Sequence, residues 1–481
     1  METEPSLPSL KLLVFSCLIA VLSPFVVVAN PTALDKQVDY VMEVTEEVVK
    51  ERLGLLDESM IEHRFDDAVR RLIAYHLRYP KQTARNLGRA IAYFPIFEAE
   101  LECAGLPQTL KYLPVIESAL RPYAMSRVGA EGLWQFMPET APEYGLRVDD
   151  LVDERLDTYA ATQGAIRYLQ SAYDYLGDWS LAIAAYNAGK GRVRRAQRRS
   201  GGKNFWRVRR YLPRETRKYV PAFVAAVYLC EFFAAHEIEP LYPSLDEQLL
   251  ERMVVTQPLS FYRIAQVTGL PINMIERLNP GYLQGYLPAY PGGHNLVLPQ
   301  RVVPALQDYL QRYGELDDEP VLAWAPIFNL QQGTEHEQDY EQHSILVLSG
   351  DSLETVAART VYSPSQLAIW NHLSPLDSLV EGRELVYYLP VQYHHLPEWE
   401  AGIDGLKMAN TAFDITPIDG SYLCLSGGEV RPVLRQRVSK RQSVAEFLGQ
   451  YPEVDQQAFL QINHWPEKRS LPSGKLVVIP L

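Results

Sequence analysis

The stretch LPVIESALRPYAMS, residues 113–126, decides how we interpret the first half of this chain. Its apolar residues recur at helical spacing, and Arg121 precedes a proline, a position that disfavours continued helix. The spacing predicts a short helix that carries Glu117 in its last turn, among apolar neighbours. Burial and the negative end of a helix both raise a carboxyl pKa, so Glu117 is a candidate general acid. The alternative is a surface glutamate that merely ends a helix.

The segments around this stretch are also predicted to be helical. Apolar residues recur at helical spacing up to Gly177, and residues 179–188 are apolar and rich in alanine. Between residues 35 and 236 we find no long alternation of polar and apolar residues, the pattern that indicates strands. We therefore expect an all-α first half, followed by a linker at residues 241–250.

The second half of the chain repeats one pattern three times. Each copy begins with a short apolar strand, continues through two helical segments and ends with a strand that closes on proline. An asparagine follows the second helical segment in every copy, at Asn279, Asn371 and Asn463. The predicted fold class is α+β multidomain, an all-α domain followed by small βααβ modules. We place these modules at residues 253–300, 343–391 and 433–481.

Residues 1–29 have the composition of an export signal. An 18-residue, mostly apolar run follows Lys11 and ends in small residues before Asn30. A signal anchor retained in the membrane is one alternative, because the run approaches the length of a membrane span. A lipoprotein signal, with lipidation at Cys17, is another. All three interpretations predict export.

Composition excludes several classes of protein. With 47% hydrophobic and 22% charged residues the chain is globular, and four cysteines are too few for a disulfide scaffold or a multi-zinc array. We find no spacing typical of a metal site or a phosphate-binding loop, so no metal and no other cofactor is predicted. The net charge is −13, yet residues 190–218 hold 13 basic residues and a single acid, Glu215.

Two further motifs contain candidate binding residues. GAEGLWQFMP, residues 129–138, has glycines beside aromatic side chains, which is typical of a tight turn that lines a cleft. There Gln135 would hydrogen-bond sugar groups, although a packed loop is equally compatible with the pattern. AYNAG, residues 185–189, ends a helix at a glycine. Tyr186 and Asn187 would then face a ligand or simply belong to the helix end.

Together these motifs resemble those of the lysozyme-like family-1 soluble lytic transglycosylases, over residues 45 to 235. The resemblance also includes Asp153-Glu154-Arg155 and Tyr219-Val220-Pro221, while Thr158 replaces the family's usual proline. It implies a lysozyme-like SLT catalytic domain at residues 35–240 and LysM-type modules in the three repeats, of which the middle one is the clearest. Such enzymes cleave the bond between N-acetylmuramic acid and N-acetylglucosamine without water, leaving a 1,6-anhydromuramoyl end. The resemblance makes Glu117 the single catalytic acid, which later serves as base, and implies that the following residues line the glycan site: Ser126, Gln135, Met137, Tyr186, Asn187 and Tyr219.

Two other functions stay open on the sequence. One is a hydrolase of the goose-lysozyme type, in which Asp153, Glu131 or Glu154 would place a water molecule. The other is a non-catalytic wall-binding protein, against which the intact motif around Glu117 argues. The resemblance implies the peptidoglycan glycan strand as partner, with no nucleic acid, and a location in a bacterial periplasm or cell envelope, with membrane attachment through the N-terminus as an option. The basic segment 190–218 would steer this anionic polymer, or would be a solvated face.

Overall fold

The structure is a computed structural model that describes residues 46–56, 61–313, 339–374, 377–391, 421–424, 430–438, 442–452, 454–462, 470–471 and 476–480. The predicted export segment, with Cys17, lies outside the described residues, as does most of the stretch between residues 391 and 432. Within the described part, no helix has both the length and the apolar character needed to cross a membrane.

The first half is helical, as the sequence predicts. The helix that ends before Gly177 starts at Asp157, whose carboxylate accepts hydrogen bonds from two backbone amides of the first turn. Gly177 closes this helix in the left-handed conformation, with φ 75°. The helices of this half are α1 (Glu46–Leu55), α2 (Asp67–Arg78), α3 (Lys81–Cys103), α4 (Leu113–Ser118), α5 (Thr158–Leu176), α6 (Trp179–Ala188), α7 (Lys190–Ser200), α8 (Phe205–Val208) and α9 (Thr216–Glu231).

Helix α9 organises the core of this half. Every residue from Val220 to Glu231 is buried, and the helix packs against α2, α4 and α6. A helix that is apolar on all sides is expected inside a domain rather than on its surface. Because α9 packs on α4, the first turns of α9 lie next to the end of the helix that carries Glu117.

Residues 241–250 are not a linker, contrary to the expectation from the sequence. Leu241 N donates to the Ala84 carbonyl of α3 at 2.9 Å, and a Cβ added at Gly88 would lie 1.9 Å from the Leu241 carbonyl oxygen. The segment then forms a short helix, α10 (Leu245–Gln248). It lies against α3 because Gly88 leaves room for the approach of its backbone, which a linker prediction from composition cannot detect.

Two buried side chains of α10 hold the modules that follow. Asp246 is fully buried and accepts two hydrogen bonds of 2.7 Å from the Arg301 guanidinium, and Tyr340 OH also donates to it. Gln248 accepts a hydrogen bond of 2.9 Å from the Trp370 indole. Since Arg301 belongs to the first repeat and the two aromatic residues belong to the second, α10 joins both repeats to the first half.

Each repeat contains the two helices and the two strands that its sequence pattern predicts, and the structure pairs these two strands antiparallel. In the first, β1 (Leu250–Val255) pairs with β4 (His294–Pro299), and β2 (Leu259–Ser260) pairs with β3 (Tyr286–Leu287) around α11 (Phe261–Thr268) and α12 (Ile272–Leu278). Helix α13 (Val303–Tyr313) follows. In the second, β5 (Tyr340–Leu346) pairs with β6 (Glu384–Pro390) beside α14 (Leu353–Ala357) and α15 (Pro364–Trp370). The third contains β7 (Ser421–Cys424), β8 (Val430–Arg437), α16 (Val444–Leu448), α17 (Gln456–Ile462) and β9 (Leu476–Pro480), with strand order β7-β8-β9.

In each of the first two modules, the repeated asparagine connects the second helix to the last strand. Asn279 Nδ2 donates to the carbonyls of Ile275 and Val297, at 3.0 and 2.8 Å, and its Oδ1 accepts from Val297 N at 2.8 Å. Asn371 makes the corresponding three bonds in the second module. Asn463 lies outside the described residues. The repeat signal in the sequence therefore marks a structural bond between the second helix and the last strand.

The second module packs directly on the first half. Ile369 of α15 belongs to the hydrophobic core of the helical half. Lys111 Nζ is buried and contacts Glu98 Oε1 at 2.6 Å and Ser365 Oγ of α15 at 3.1 Å. Tyr242 OH donates to the Ile369 carbonyl at 2.9 Å. Apolar and polar contacts thus both fix the position of this module.

Candidate active site

Glu117 lies in the last turn of α4, as predicted, and only 7% of it is exposed. Ala119 follows with φ 55°, in the left-handed region that costs a non-glycine residue about 1–3 kcal/mol. Arg89 Nη1 donates to the Ala119 carbonyl at 3.0 Å. Arg121 Nε donates to the Ser118 carbonyl at 3.1 Å. These guanidinium groups satisfy carbonyls at an abrupt helix end and hold the turn that follows Glu117.

The surroundings of Glu117 keep its carboxyl group protonated up to near-neutral pH. The pKa of Glu117 is raised to about 7, mainly by burial and to a smaller extent by the negative charge of Glu215. The hydrogen bond that Tyr219 OH donates to Glu117 Oε1 acts in the opposite direction and lowers the pKa. A carboxyl group with this pKa can donate a proton and accept one back at neutral pH, which is what a single acid–base group must do.

The first turn of α9 and Glu215, the residue before it, bring three polar groups to this site. Tyr219 is one turn after Glu215, so the two share a face of the helix end. Thr216 Oγ1 donates to Asn187 Oδ1 at 2.8 Å, and the Asn187 side chain also hydrogen-bonds the Glu215 carboxylate. Sequence reasoning predicted Asn187 and Tyr219 but missed Glu215. The available signal was its position, a lone acid among 13 basic residues and four residues before Tyr219.

Tyr186 joins α6 to the loop at residues 129–137, which we call the site loop. Its hydroxyl donates to the Trp134 carbonyl at 2.8 Å, and its ring meets the Phe136 ring edge-on. Burial raises the pKa of Tyr186 well above its usual value, and the charge of Glu117 raises it as well. Tyr186 therefore lies within electrostatic reach of Glu117 and stays a neutral hydrogen-bonding group. We call Glu117, Tyr186 and Tyr219 the catalytic cluster.

Two predicted binding residues instead hold the protein backbone. Gln135 has φ 51°, and its Nε2 donates to the carbonyls of Ala124 and Gly132 at 3.0 and 2.9 Å. Its amide donors are thus committed to the loop rather than left for a sugar. Ser126 Oγ accepts from Ala130 N at 2.9 Å. Their roles toward a ligand stay predictions, as does that of half-buried Met137.

The Arg155 side chain hydrogen-bonds both ends of the site loop, an arrangement that we call the clamp. Its Nη1 donates to the carbonyls of Gly129 and Phe136 at 2.8 and 3.3 Å. Its Nε and Nη2 bind the fully buried Asp153 carboxylate at 2.9 and 2.6 Å, and Nη2 lies 3.4 Å from Glu131 Oε1. The salt bridge between Asp153 and Arg155 is therefore buried and supports the site loop.

Gly132 makes this clamp sterically feasible. It has φ 82°, and a Cβ there would lie 1.9 Å from the Arg155 carbonyl oxygen. Both the left-handed backbone and the close approach require glycine at this position. Gly132 therefore helps to set the conformation of the loop, and the aromatic side chains that follow it, Trp134 and Phe136, are buried in the core.

Two conservative variants are expected to move the pH dependence of cleavage in opposite directions. Loss of kcat/KM with rising pH should follow deprotonation of Glu117, with a midpoint near its pKa of about 7. Glu215→Gln removes a charge that raises this pKa, so the midpoint should fall. Tyr219→Phe removes a hydrogen bond that lowers it, so the midpoint should rise. Glu102→Gln, an exposed change on α3, serves as the control and should leave the midpoint in place. Shifts of both site variants in one direction would contradict this description of the site.

The comparisons with known proteins cover the part of the chain that contains this site. The family model for the transglycosylase SLT domain matches residues 94–208, which include Glu117, the site loop and Tyr186. Residues 94–208 form an SLT transglycosylase domain. The model for the LysM-like domain of lytic transglycosylase MltD matches residues 250–314, and the LysM model matches residues 345–386. The resemblance stated from the sequence is confirmed, and so is the predicted fold class of an SLT domain followed by small LysM-type modules.

Several known proteins are similar to parts of this chain. Over 293 residues the chain is 29% identical to membrane-bound lytic murein transglycosylase D of Escherichia coli strain K12, covering 59% of this chain and 61% of the relative. The match therefore spans about three-fifths of the length of that relative. Among solved structures, the 70 kDa soluble lytic transglycosylase of Escherichia coli is 23% identical, with TM-score 0.27, over 41% of this chain and 34% of that chain. An inactive variant of lytic transglycosylase Slt from Pseudomonas aeruginosa is 20% identical, with TM-score 0.27, over 44% and 39% of the two chains.

Proposed function

We propose that this chain is a lytic transglycosylase that cleaves peptidoglycan between N-acetylmuramic acid and N-acetylglucosamine and leaves a 1,6-anhydromuramoyl end. The observation that carries the proposal is the buried Glu117 of the SLT domain, with a pKa of about 7 and a hydrogen bond from Tyr219. The chain's similarity to an enzyme of this type from Escherichia coli supports it. Envelope location and glycan binding by the LysM-type modules are part of the same proposal.

A single carboxyl group suffices for this reaction because the substrate supplies the rest. Glu117 gives its proton to the bridging oxygen as the bond from that oxygen to C1 of the muramic residue breaks. The 2-acetamido oxygen of the same sugar supports the positive charge that develops at C1. The C6 hydroxyl then attacks C1, and its proton returns to Glu117. Because this hydroxyl is tethered, its effective concentration is high and no water is consumed.

The hydrolytic alternative requires a second carboxylate that holds a water molecule. The three carboxylates considered from the sequence have other bonds. Asp153 and Glu131 contact Arg155, and Glu154 Oε2 accepts from Arg147 N at 2.7 Å. Glu215 acts on the pKa of Glu117 and is the remaining carboxylate to test in that role.

Mass spectrometry of the products distinguishes the two reactions. Digestion of purified sacculi should release muropeptides with anhydro ends, which weigh one water less than reducing ends. Glu215→Gln should give the same anhydro products as the parent. Reducing ends from the parent, lost in the Glu215→Gln variant, would instead establish a hydrolase in which Glu215 places the water.

The basic segment 190–218 supports capture of the anionic polymer. It starts at the catalytic cluster, because Lys190 Nζ lies over the ring of Tyr168, whose ring meets that of Tyr186 at 5.1 Å. It ends there too, since Lys218 precedes Tyr219. Between these ends, Arg195, Arg198 and Arg199 form an exposed row on one face of α7. Among the described residues, Arg209 alone in this segment forms an ion pair, with Asp66.

Neutralising this row is expected to slow digestion at low salt. The triple variant Arg195→Gln, Arg198→Gln, Arg199→Gln removes three exposed charges, whose fields are screened beyond about 8 Å at physiological salt. The rate on sacculi should therefore fall several-fold at low ionic strength and approach the parent rate at high ionic strength. A short glycan without stem peptides should respond least, since it presents fewer carboxylates. A matched control replaces three cations on α2 and α3, Arg71, Arg78 and Lys81. A loss of rate that is independent of both the salt concentration and the presence of stem peptides would show that the row supports the fold.

A further inference from the structure

The first LysM-like module is fastened to the SLT domain by backbone bonds. Residues 151–153 run antiparallel to residues 281–283, with Asp153 N donating to the Gly281 carbonyl at 2.9 Å. The approach is close, since a Cβ added at Gly281 would lie 2.9 Å from the Asp153 carbonyl oxygen. Backbone pairing at this distance fixes both position and orientation of the two segments.

Side chains on both sides of this pairing add to it. Val152 is 2% exposed and belongs to the hydrophobic core of the module rather than to that of the SLT domain. Asn295 Nδ2 of β4 donates to Asp157 Oδ2 at 3.0 Å. Asp157 also caps helix α5 through its other carboxylate oxygen. Through Asn295 the module thus binds the residue that caps α5, and through Val152 the SLT domain contributes to the hydrophobic core of the module.

A short series of contacts leads from this junction to the catalytic cluster. Asp153, which the module holds through its backbone, binds the Arg155 guanidinium in a buried pair. Arg155 holds the carbonyls at both ends of the site loop. The Trp134 carbonyl of that loop accepts the hydroxyl of Tyr186, beside Glu117. Each step is a hydrogen bond to a buried or half-buried group, so displacement at the junction is transmitted to the loop.

We infer that the first LysM-like module is a positioning element of the active site, which holds the site loop through residues 151–157. Its role in the chain is then to set the geometry of cleavage, while retention on the cell wall depends on other surfaces. A displacement of about 1 Å at a reacting group costs on the order of 100-fold in rate, so a rigid junction has a direct effect on turnover. The inference rests on the proposed function for its activity measurements only.

The test uses the full-length protein with Gly281→Ala, which places a methyl group against the Asp153 carbonyl. The matched control is Gly54→Ala, the same chemical change where nothing lies within 4 Å. We expect Gly281→Ala to raise amide hydrogen exchange several-fold in residues 129–137 and to lower kcat about tenfold on a short soluble glycan. KM and retention on sacculi should stay at the parent values. Asn295→Ala, which removes one hydrogen bond at the module edge, should change both quantities in the same direction by less.

Amide exchange in the cores of the module and the SLT domain shows whether each variant is folded. If Gly281→Ala is not folded, the Asn295→Ala variant decides the test. Unchanged exchange in residues 129–137 in a folded variant would overturn the inference. Reduced retention on sacculi with unchanged kcat would also overturn it and would make the module a binding module. If the parent cleaves no glycan, the proposed function fails, and the exchange measurement still decides whether the module holds the site loop.

Discussion

Replacing Glu117 with glutamine is expected to lower cleavage of purified sacculi about 10²- to 10⁴-fold, the range that loss of general acid–base catalysis produces. Glutamine keeps the shape of the side chain and can still accept the Tyr219 hydroxyl through its amide oxygen. It has no titratable proton to give to the leaving oxygen and none to take from the C6 hydroxyl. Release of anhydromuropeptides, quantified by mass spectrometry over time, measures the loss. More than a tenth of the parent rate would show that Glu117 is not the acid.

Stability provides the control for this variant. The pKa of Glu117 is raised in the folded protein, from 4.5 to about 7. Such a group stabilises the fold relative to the unfolded chain only at low pH, and this contribution is lost as pH rises from the unfolded pKa through the folded one. Glutamine has no such dependence. The thermal midpoint of Glu117→Gln at pH 8 should therefore equal or exceed that of the parent, so an inactive variant with a lower midpoint would point to damage of the fold.

Replacing Arg155 with methionine is expected to destabilise the protein by about 3–5 kcal/mol, the cost of breaking a buried ion pair from one side. Asp153 is fully buried and would lose its guanidinium partner, and the carbonyls of Gly129 and Phe136 would lose their donor. Urea denaturation followed by tryptophan fluorescence measures the change. A loss under about 1 kcal/mol would contradict the clamp described here.

A double variant separates charge from packing. Arg155→Met with Asp153→Leu removes both charges, and well-packed apolar replacements of buried pairs are often neutral or stabilising. The double variant should therefore be more stable than Arg155→Met alone. It should remain impaired in cleavage, since neither side chain can donate to the carbonyls of the site loop. Recovery of stability together with full activity would show that the loop keeps its shape without Arg155.

Local patterns in the sequence predicted several features of this protein. The spacing around Glu117 predicted a helix that ends just after it, and the apolar neighbours predicted its burial and raised pKa. The three repeats were found from the order of strand, helices and asparagine, and in the first two modules the asparagine makes the same hydrogen bonds. These features depend on residues close to one another in the chain, and their physical causes are periodicity, capping and proline geometry.

Tertiary structure decided what distant residues do for one another. The sequence alone left the roles of Gln135 and Arg155 open. In the fold, both side chains donate hydrogen bonds to backbone carbonyls of the site loop. The segment 241–250 had the composition of a linker, yet it is fixed by close backbone approach at Gly88 and by the buried pair of Asp246 and Arg301. A single sequence shows which groups can form hydrogen bonds and ion pairs. Which partner each group has follows only once packing has brought distant segments together and removed them from water.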